Sequence, residues 1–246
     1  MNIKLTIQYD GTNYHGYQIQ PNGITVQEVL ENALHSITGE NIRIIGCGRT
    51  DSGVHALNYV CNFHTESTIP PSKYCFALNS KLPPDIRCIS SIEAPADFHA
   101  KSSAVKKTYI YRINNCEFAN VFERNYSWHY KYALDLDKMR SAAKAFLGEH
   151  DFAGFVSSGF SVKTTVRTIY ALDIQKNGNI ITIEITGNGF LYNMVRIIAG
   201  TLVYVAGGRI NPHDMADIIK SCDRTRAGIT APPQGLFMKE VYYPSE

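Results

Sequence analysis

The chain lacks an uninterrupted apolar run of the ~20 residues that a membrane span requires. Its most apolar stretch, residues 197–208, is broken by Gly200, Thr201 and the pair Gly207-Gly208. It also lacks the basic segment and apolar plug of a secretory leader, since residues 1–6 alternate polar and apolar, and a cytoplasmic protein is expected. Its six cysteines (Cys47, Cys61, Cys75, Cys88, Cys116 and Cys222) include no Cys-x-x-Cys pair, which argues for reduced, mostly buried thiols over a disulfide frame or a zinc site. None of its eight histidines recur at His-x-x-x-His spacing, so no metal is expected. No Gly-x-Ser-x-Gly elbow is present and Cys47 has no evident base beside it, so Ser or Cys nucleophilic catalysis has little support.

What remains is an ordinary globular chain. In 246 residues, 44% are hydrophobic and 19% charged, a balance that buries a core and does not swell into disorder. The formal net charge of +2 hides an asymmetry: residues 1–100 hold six Lys and Arg against nine Asp and Glu, and residues 101–246 hold 18 against 13. The second half can meet phosphate, although solvated lysines on an ordinary face would give the same excess.

Period-two alternation predicts strands over residues 3–9, 42–45, 54–64, 86–92, 105–113, 166–175, 179–186 and 236–243. Thr25 and Glu28 form a capping box for a helix carrying Val26, Val29, Leu30, Ala33, Leu34 and Ile37 as far as Gly39. Further helices are predicted over 72–80, from Asp135 or Asp137 to Gly148, over 191–206, and after Asn211-Pro212. Asn177-Gly178 is a strong hairpin signal, and residues 114–134 and 222–235 read as excursions. Hairpins and a non-alternating order of elements predict an α+β fold with a mixed sheet, helices on one side and two β-α-β-like halves, rather than a parallel Rossmann sheet. The halves are expected to meet near residues 95–104, giving units 1–100 and 101–246.

The densest polar cluster is Gly46-Cys47-Gly48-Arg49-Thr50-Asp51-Ser52-Gly53-Val54-His55. Three glycines in eight residues let the backbone bend sharply, and Arg49 and Asp51 present opposite charges from one loop. It fails as a dinucleotide fingerprint because Asp51 stands where the third glycine should be and would repel pyrophosphate. By composition alone it fits a salt-bridged turn as well as an active site. Asp10-Gly11-Thr12 resembles part of the aspartate phosphatase signature, but Gln8 takes the nucleophile's place, and a structural turn is the better reading of Asp10. Arg196 lies in Phe190-Leu191-Tyr192-Asn193-Met194-Val195-Arg196-Ile197-Ile198, a helix apolar on nearly all sides. A guanidinium buried there requires a partner, most cheaply a carboxylate; the sequence does not select which, and a purely structural ion pair is the plain alternative.

Gly48-Arg49-Thr50-Asp51-Ser52-Gly53-Val54-His55-Ala56 resembles the catalytic motif of the tRNA pseudouridine synthases of the TruA type. The resemblance runs along nearly the whole chain, through Tyr9-Asp10-Gly11-Thr12, Gln20-Pro21, Thr25-Val26-Gln27, Ala77-Leu78-Asn79, Phe98-His99-Ala100, Lys107-Thr108-Tyr109-Ile110-Tyr111, His150-Asp151-Phe152, Thr165-Val166-Arg167-Thr168, Met194-Val195-Arg196 and Gly235-Leu236-Phe237. Two departures are visible: Tyr17 where the family usually has Trp, and Lys101 where it usually has Arg, which keeps a phosphate contact without bidentate geometry.

The resemblance implies a pseudouridine synthase fold, with a mostly antiparallel central sheet and two halves around a catalytic cleft. It implies isomerisation of uridine in the anticodon stem-loop of tRNA, typically at positions 38 to 40, by a homodimer without cofactor or metal. Asp51 would be the nucleophile, kept ionised by Arg196. Tyr109 would stack on the extruded base, although its plain reading is a strand tyrosine in the core. Arg49 would occupy the vacated stack or meet a phosphate, and Leu236 would wall the uracil. The rival from another class is a catalytically silent RNA-binding or RNA-folding protein using the same cleft.

Overall fold

The structure is a computed structural model that describes residues 1–159 and 162–244. Its contacts group into two compact units, Met1–Val105 with Phe237–Glu246, and Lys106–Leu236. The strand that closes the chain thus belongs mainly with the first unit, and the units do not divide the sequence at one point. Both units are mixtures of helix and mostly antiparallel sheet, an α+β architecture. Among the described residues no helix is long and apolar enough to cross a membrane.

In the first unit β1 (Asn2–Tyr9) lies between β3 (His55–His64) and β4 (Ile86–Ala94), antiparallel to both. The closing strand β10 (Leu236–Tyr242) runs parallel to β3, with Phe237 opposite His55 and Met238 opposite Ala56. Ile3, Leu5 and Ile7 alternate into the core and are fully buried, as the period of two predicts. Helix α1 (Val26–Thr38) starts on Thr25, whose hydroxyl accepts from the Glu28 N–H at 3.3 Å, the cap read in the sequence.

The predicted strand at 42–45 shrinks to the two residues of β2 (Ile45–Gly46). Ile42 and Ile44 do bury, but side chains of α1 take the backbone groups that a ladder would use. Glu31 accepts from the Ile44 N–H at 3.0 Å and the Gln27 amide donates to the Ile44 carbonyl at 3.2 Å. Helix α2 is only Tyr74–Asn79, preceded by a tighter turn, Pro71–Lys73, that the prolines impose.

In the second unit β5 (Lys106–Asn114) pairs with β9 (Ile180–Gly187), β9 with β8 (Val166–Asn177), and β8 with β7 (Gly148–Asp151), all antiparallel. The Asn177-Gly178 hairpin joins β8 to β9 where it was predicted, and Asp135 is the cap of α3 (Leu136–Ala143). Strand β7 was not legible: Gly-Glu-His-Asp has no alternation, and its side chains are largely exposed at the sheet edge. The excursion 114–134 contains the two-residue β6 (Trp128–His129), parallel to β5. After Asn211 a 3-10 turn, Pro212–Asp214, leads into α5 (Met215–Lys220).

Helix α4 covers Met194–Ala206 and not residues 191–206 as the apolar run predicts. Asn193 adopts a left-handed backbone with φ of 61°, which stops the helix from extending further toward the N-terminus. Arg196 therefore sits in the first turn of α4, not in its buried middle.

Candidate functional site

The Gly48–Val54 loop of the first unit is held by three tyrosines and a neighbouring turn. Tyr59 donates to the Gly48 carbonyl at 2.5 Å, and Tyr9 shares a 2.8 Å hydrogen bond with Thr50. Tyr17 stacks on Tyr59 with ring centroids 4.2 Å apart, and its backbone N–H donates to the Thr50 carbonyl at 3.2 Å. Burial pushes the phenols of Tyr9, Tyr17 and Tyr59 well above the ordinary tyrosine range, so all three stay neutral at physiological pH.

On the far side of the loop, Ser52 and the Gly53 N–H both donate to the Tyr14 carbonyl, at 3.2 and 3.3 Å. The Val54 N–H closes back onto the Asp51 carbonyl at 3.1 Å. Gly16, with φ of 83°, lies so close that a Cβ there would collide with the Thr50 carbonyl oxygen. The carboxylate of Asp51 thus projects from a turn whose backbone is fixed on both sides. Asp51 is half-buried, between exposed Arg49 and exposed Ser52, the partial access that a nucleophile needs.

Tyr17 carries an anomaly. Its hydroxyl is buried among the Tyr59 hydroxyl and the Cys61 thiol but makes no hydrogen bond of ordinary geometry among the described residues. A buried unsatisfied hydroxyl costs ~1–3 kcal/mol. Tyr17→Phe keeps the stacked ring and is expected to leave the melting temperature unchanged or raise it. A drop of several degrees in calorimetry would mean that the hydroxyl has a partner after all.

Lys101 is exposed at the end of the Phe98-His99-Ala100 motif. The motif is tied to the sheet by a buried amide: Asn62 accepts from the Ala100 N–H at 2.8 Å and donates to Asn2 at 2.9 Å. Sequence reading missed Asn2 and Asn62; their only signal is an amide on an inward-facing strand position.

In the second unit, Tyr109 of β5 lies opposite Ile185 and is 8% exposed. Its ring packs edge-on against Phe190, at 5.1 Å and 81°. Two residues on, Tyr111 is fully buried and donates to the Pro232 carbonyl at 2.8 Å. Burial pushes its phenol up, and the nearby charge of Arg196 pulls it partly back.

Arg196 is half-buried, not enclosed as the apolar sequence around it predicts. Its partners include two neutral oxygens, the Ala231 carbonyl through Nε and Asn193 Oδ1 through Nη1, each at 2.7 Å. A cation in the first turn of a helix opposes the macrodipole, by ~0.3–1 kcal/mol. Leu236 is 6% exposed and follows the Pro233–Gly235 turn, where Gly235 lies against the Tyr111 ring. The second unit thus gathers Arg196, Tyr111 and the 231–236 segment. Asp51 and Arg49 belong to the first unit. Among the described residues no group of three His, Cys, Asp or Glu side chains could hold a metal ion, and the six cysteines are free thiols.

A protein-family model described as tRNA pseudouridine synthase matches residues 5–101 and 142–244. The tRNA pseudouridine synthase A of Thermoanaerobacter sp. (strain X514) is 51% identical over 242 residues, covering 98% of this chain and 99% of that protein. The protein of the same name from Ruminiclostridium cellulolyticum is 50% identical over 242 residues, with the same coverage. Among solved structures, a Cbf5-Nop10-Gar1 complex matches with a TM-score of 0.41 at 9% identity, over 96% of this chain and 57% of that one, too distant a likeness to bear on the site.

Proposed function

The chain belongs to the tRNA pseudouridine synthase family, and we propose on that footing that it isomerises uridine to pseudouridine in the anticodon stem-loop of tRNA, at positions 38, 39 and 40. The observation that carries this reading is Asp51: a half-buried carboxylate on a loop pinned at both ends, inside the segment that the family model matches.

The reaction breaks the N1–C1′ glycosidic bond and forms C5–C1′, with a proton lost from C5 and one gained at N1. It balances within the nucleotide, so no cofactor is needed. Asp51 supplies the nucleophilic carboxylate, attacking the sugar or the base, and must be ionised to do so. Arg196 would hold it ionised and oriented by charge-assisted hydrogen bonds, a role that the family resemblance carries. A paired base is out of reach, so the target nucleotide is extruded at a cost of a few kcal/mol. Tyr109 offsets this by stacking, worth ~1–3 kcal/mol per base. Arg49, exposed beside Asp51, fills the vacated stack or meets a phosphate, and Leu236 walls the uracil. A cytoplasmic site of action is part of this reading, and the homodimer is carried by the family resemblance alone.

Incubating the purified protein with a tRNA transcript and mapping pseudouridine tests the reading. Product at 38, 39 or 40 is expected, and none when those positions carry cytidine. A transcript left unmodified, or modified only elsewhere, overturns it. Tyr109→Phe is expected to bind this tRNA more tightly than Tyr109→Leu; equal dissociation constants would mean that the ring does not stack.

A further inference from the structure

Asp51's turn is referenced to one residue by two separate routes. Asp10, at the end of β1, caps the 3-10 turn Gly11–Asn13: its Oδ1 accepts from the Thr12 N–H at 3.0 Å and from the Thr12 hydroxyl at 2.5 Å. That turn ends at Tyr14, whose N–H donates to the Gly11 carbonyl at 3.0 Å and whose own carbonyl receives Ser52 and Gly53. The second route is direct. His55, only 1% exposed, has Nδ1 3.1 Å from Asp10 Oδ1 and 3.0 Å from the Gly11 nitrogen, and its ring stacks on Phe237 at 4.5 Å. Between the routes, Gly11 presses on Val54, where a Cβ would collide with the Val54 carbonyl. Both residues after Asp51, and the strand start that follows them, are therefore located relative to the Asp10 carboxylate.

The chemistry of Nδ1 makes this more than packing. A ring nitrogen either accepts or donates. Bare, it accepts the Gly11 N–H with its single lone pair and has no hydrogen to give the Asp10 oxygen 3.1 Å away. Protonated, it donates to Asp10 and leaves the Gly11 N–H facing another N–H. In both states Nδ1 lies against the Asp10 carboxylate and the Gly11 nitrogen at once, in a buried place that an apolar side chain would fill more simply.

We infer that Asp10 and His55 act as one positioning pair that sets the orientation of the turn carrying Asp51. Neither is a catalytic residue. The role rests on the activity proposed above, and its test has a readout that does not need that activity.

The conservative variants are Asp10→Asn, which keeps an oxygen for the Thr12 cap, and His55→Phe, which keeps the ring on Phe237. With the tRNA transcript in single turnover, each is expected to slow pseudouridine formation at least tenfold, with the tRNA dissociation constant within threefold and the melting temperature within a few degrees of the unaltered protein. The double variant is expected to be no more than twofold slower than the slower single, as for residues acting as a unit. Hydrogen exchange without tRNA is expected to be faster at the Gly53 and Val54 amides in both singles.

Losses that multiply in the double variant, rate losses that follow the melting temperature, or unchanged exchange at those two amides would overturn the pair. Should His55→Phe not fold, Asp10→Asn decides through rate and exchange together. If the unaltered protein makes no pseudouridine, the activity reading falls, and exchange at Gly53 and Val54 still decides the positioning role.

Discussion

Asp51→Asn is expected to keep tRNA binding within about tenfold of the unaltered protein and to form no pseudouridine. The substitution is nearly isosteric, and the loop's hold runs through backbone groups and through Tyr9, Tyr14, Tyr17 and Tyr59. Fold and affinity should therefore survive. What disappears is the anionic oxygen: an amide is a far poorer nucleophile, and no second carboxylate in the Gly48–Ala56 motif can replace it. Filter binding alongside product mapping separates the two quantities. Product at the ordinary rate from Asp51→Asn would remove this residue from the mechanism. Complete loss of both binding and thermal stability would show a structural residue.

The second large effect is expected at Arg196. Arg196→Leu should lower turnover at least 100-fold while tRNA binding stays within about tenfold. The stability cost should be only ~1–3 kcal/mol, the scale of lost charge-assisted hydrogen bonds at a half-buried site. Part of that cost is returned, because a cation leaves the positive end of α4. Arg196→Lys keeps the charge but not the two-point hold on Ala231 and Asn193, and should fall between. Single-turnover rates and calorimetry on the three proteins check this. Full turnover from Arg196→Leu would show that the proposed pairing with Asp51 plays no part in catalysis.

The Arg196 prediction differs from what the chain alone would support, and the reason is local. The apolar residues around Arg196 imply full burial, because a periodic pattern assumes that the helix begins where the pattern does. The left-handed Asn193 moves that start to Met194 and makes Arg196 a first-turn residue, which is half-buried. At 42–45, alternation places Ile42 and Ile44 in the core, but Gln27 and Glu31 outcompete the ladder for the backbone groups of Ile44. Asp10 was legible as a turn residue, and it is one; its contact with His55, 45 positions along the chain, has no sequence signature at all.

Local chemistry was enough for the α+β class, the Thr25 and Asp135 caps, the Asn177-Gly178 hairpin and the Gly48–Ala56 motif, because capping, alternation and turn preference act over a few neighbouring residues. The restraint on Asp51 depends instead on side chains brought together from β1, the Tyr14 turn and β3. Likewise, the place of Arg196 in the first turn of α4 follows from the left-handed backbone at Asn193. Those arrangements arise from long-range packing, where burial and competition for hydrogen bonds choose among partners that are all compatible with the local pattern.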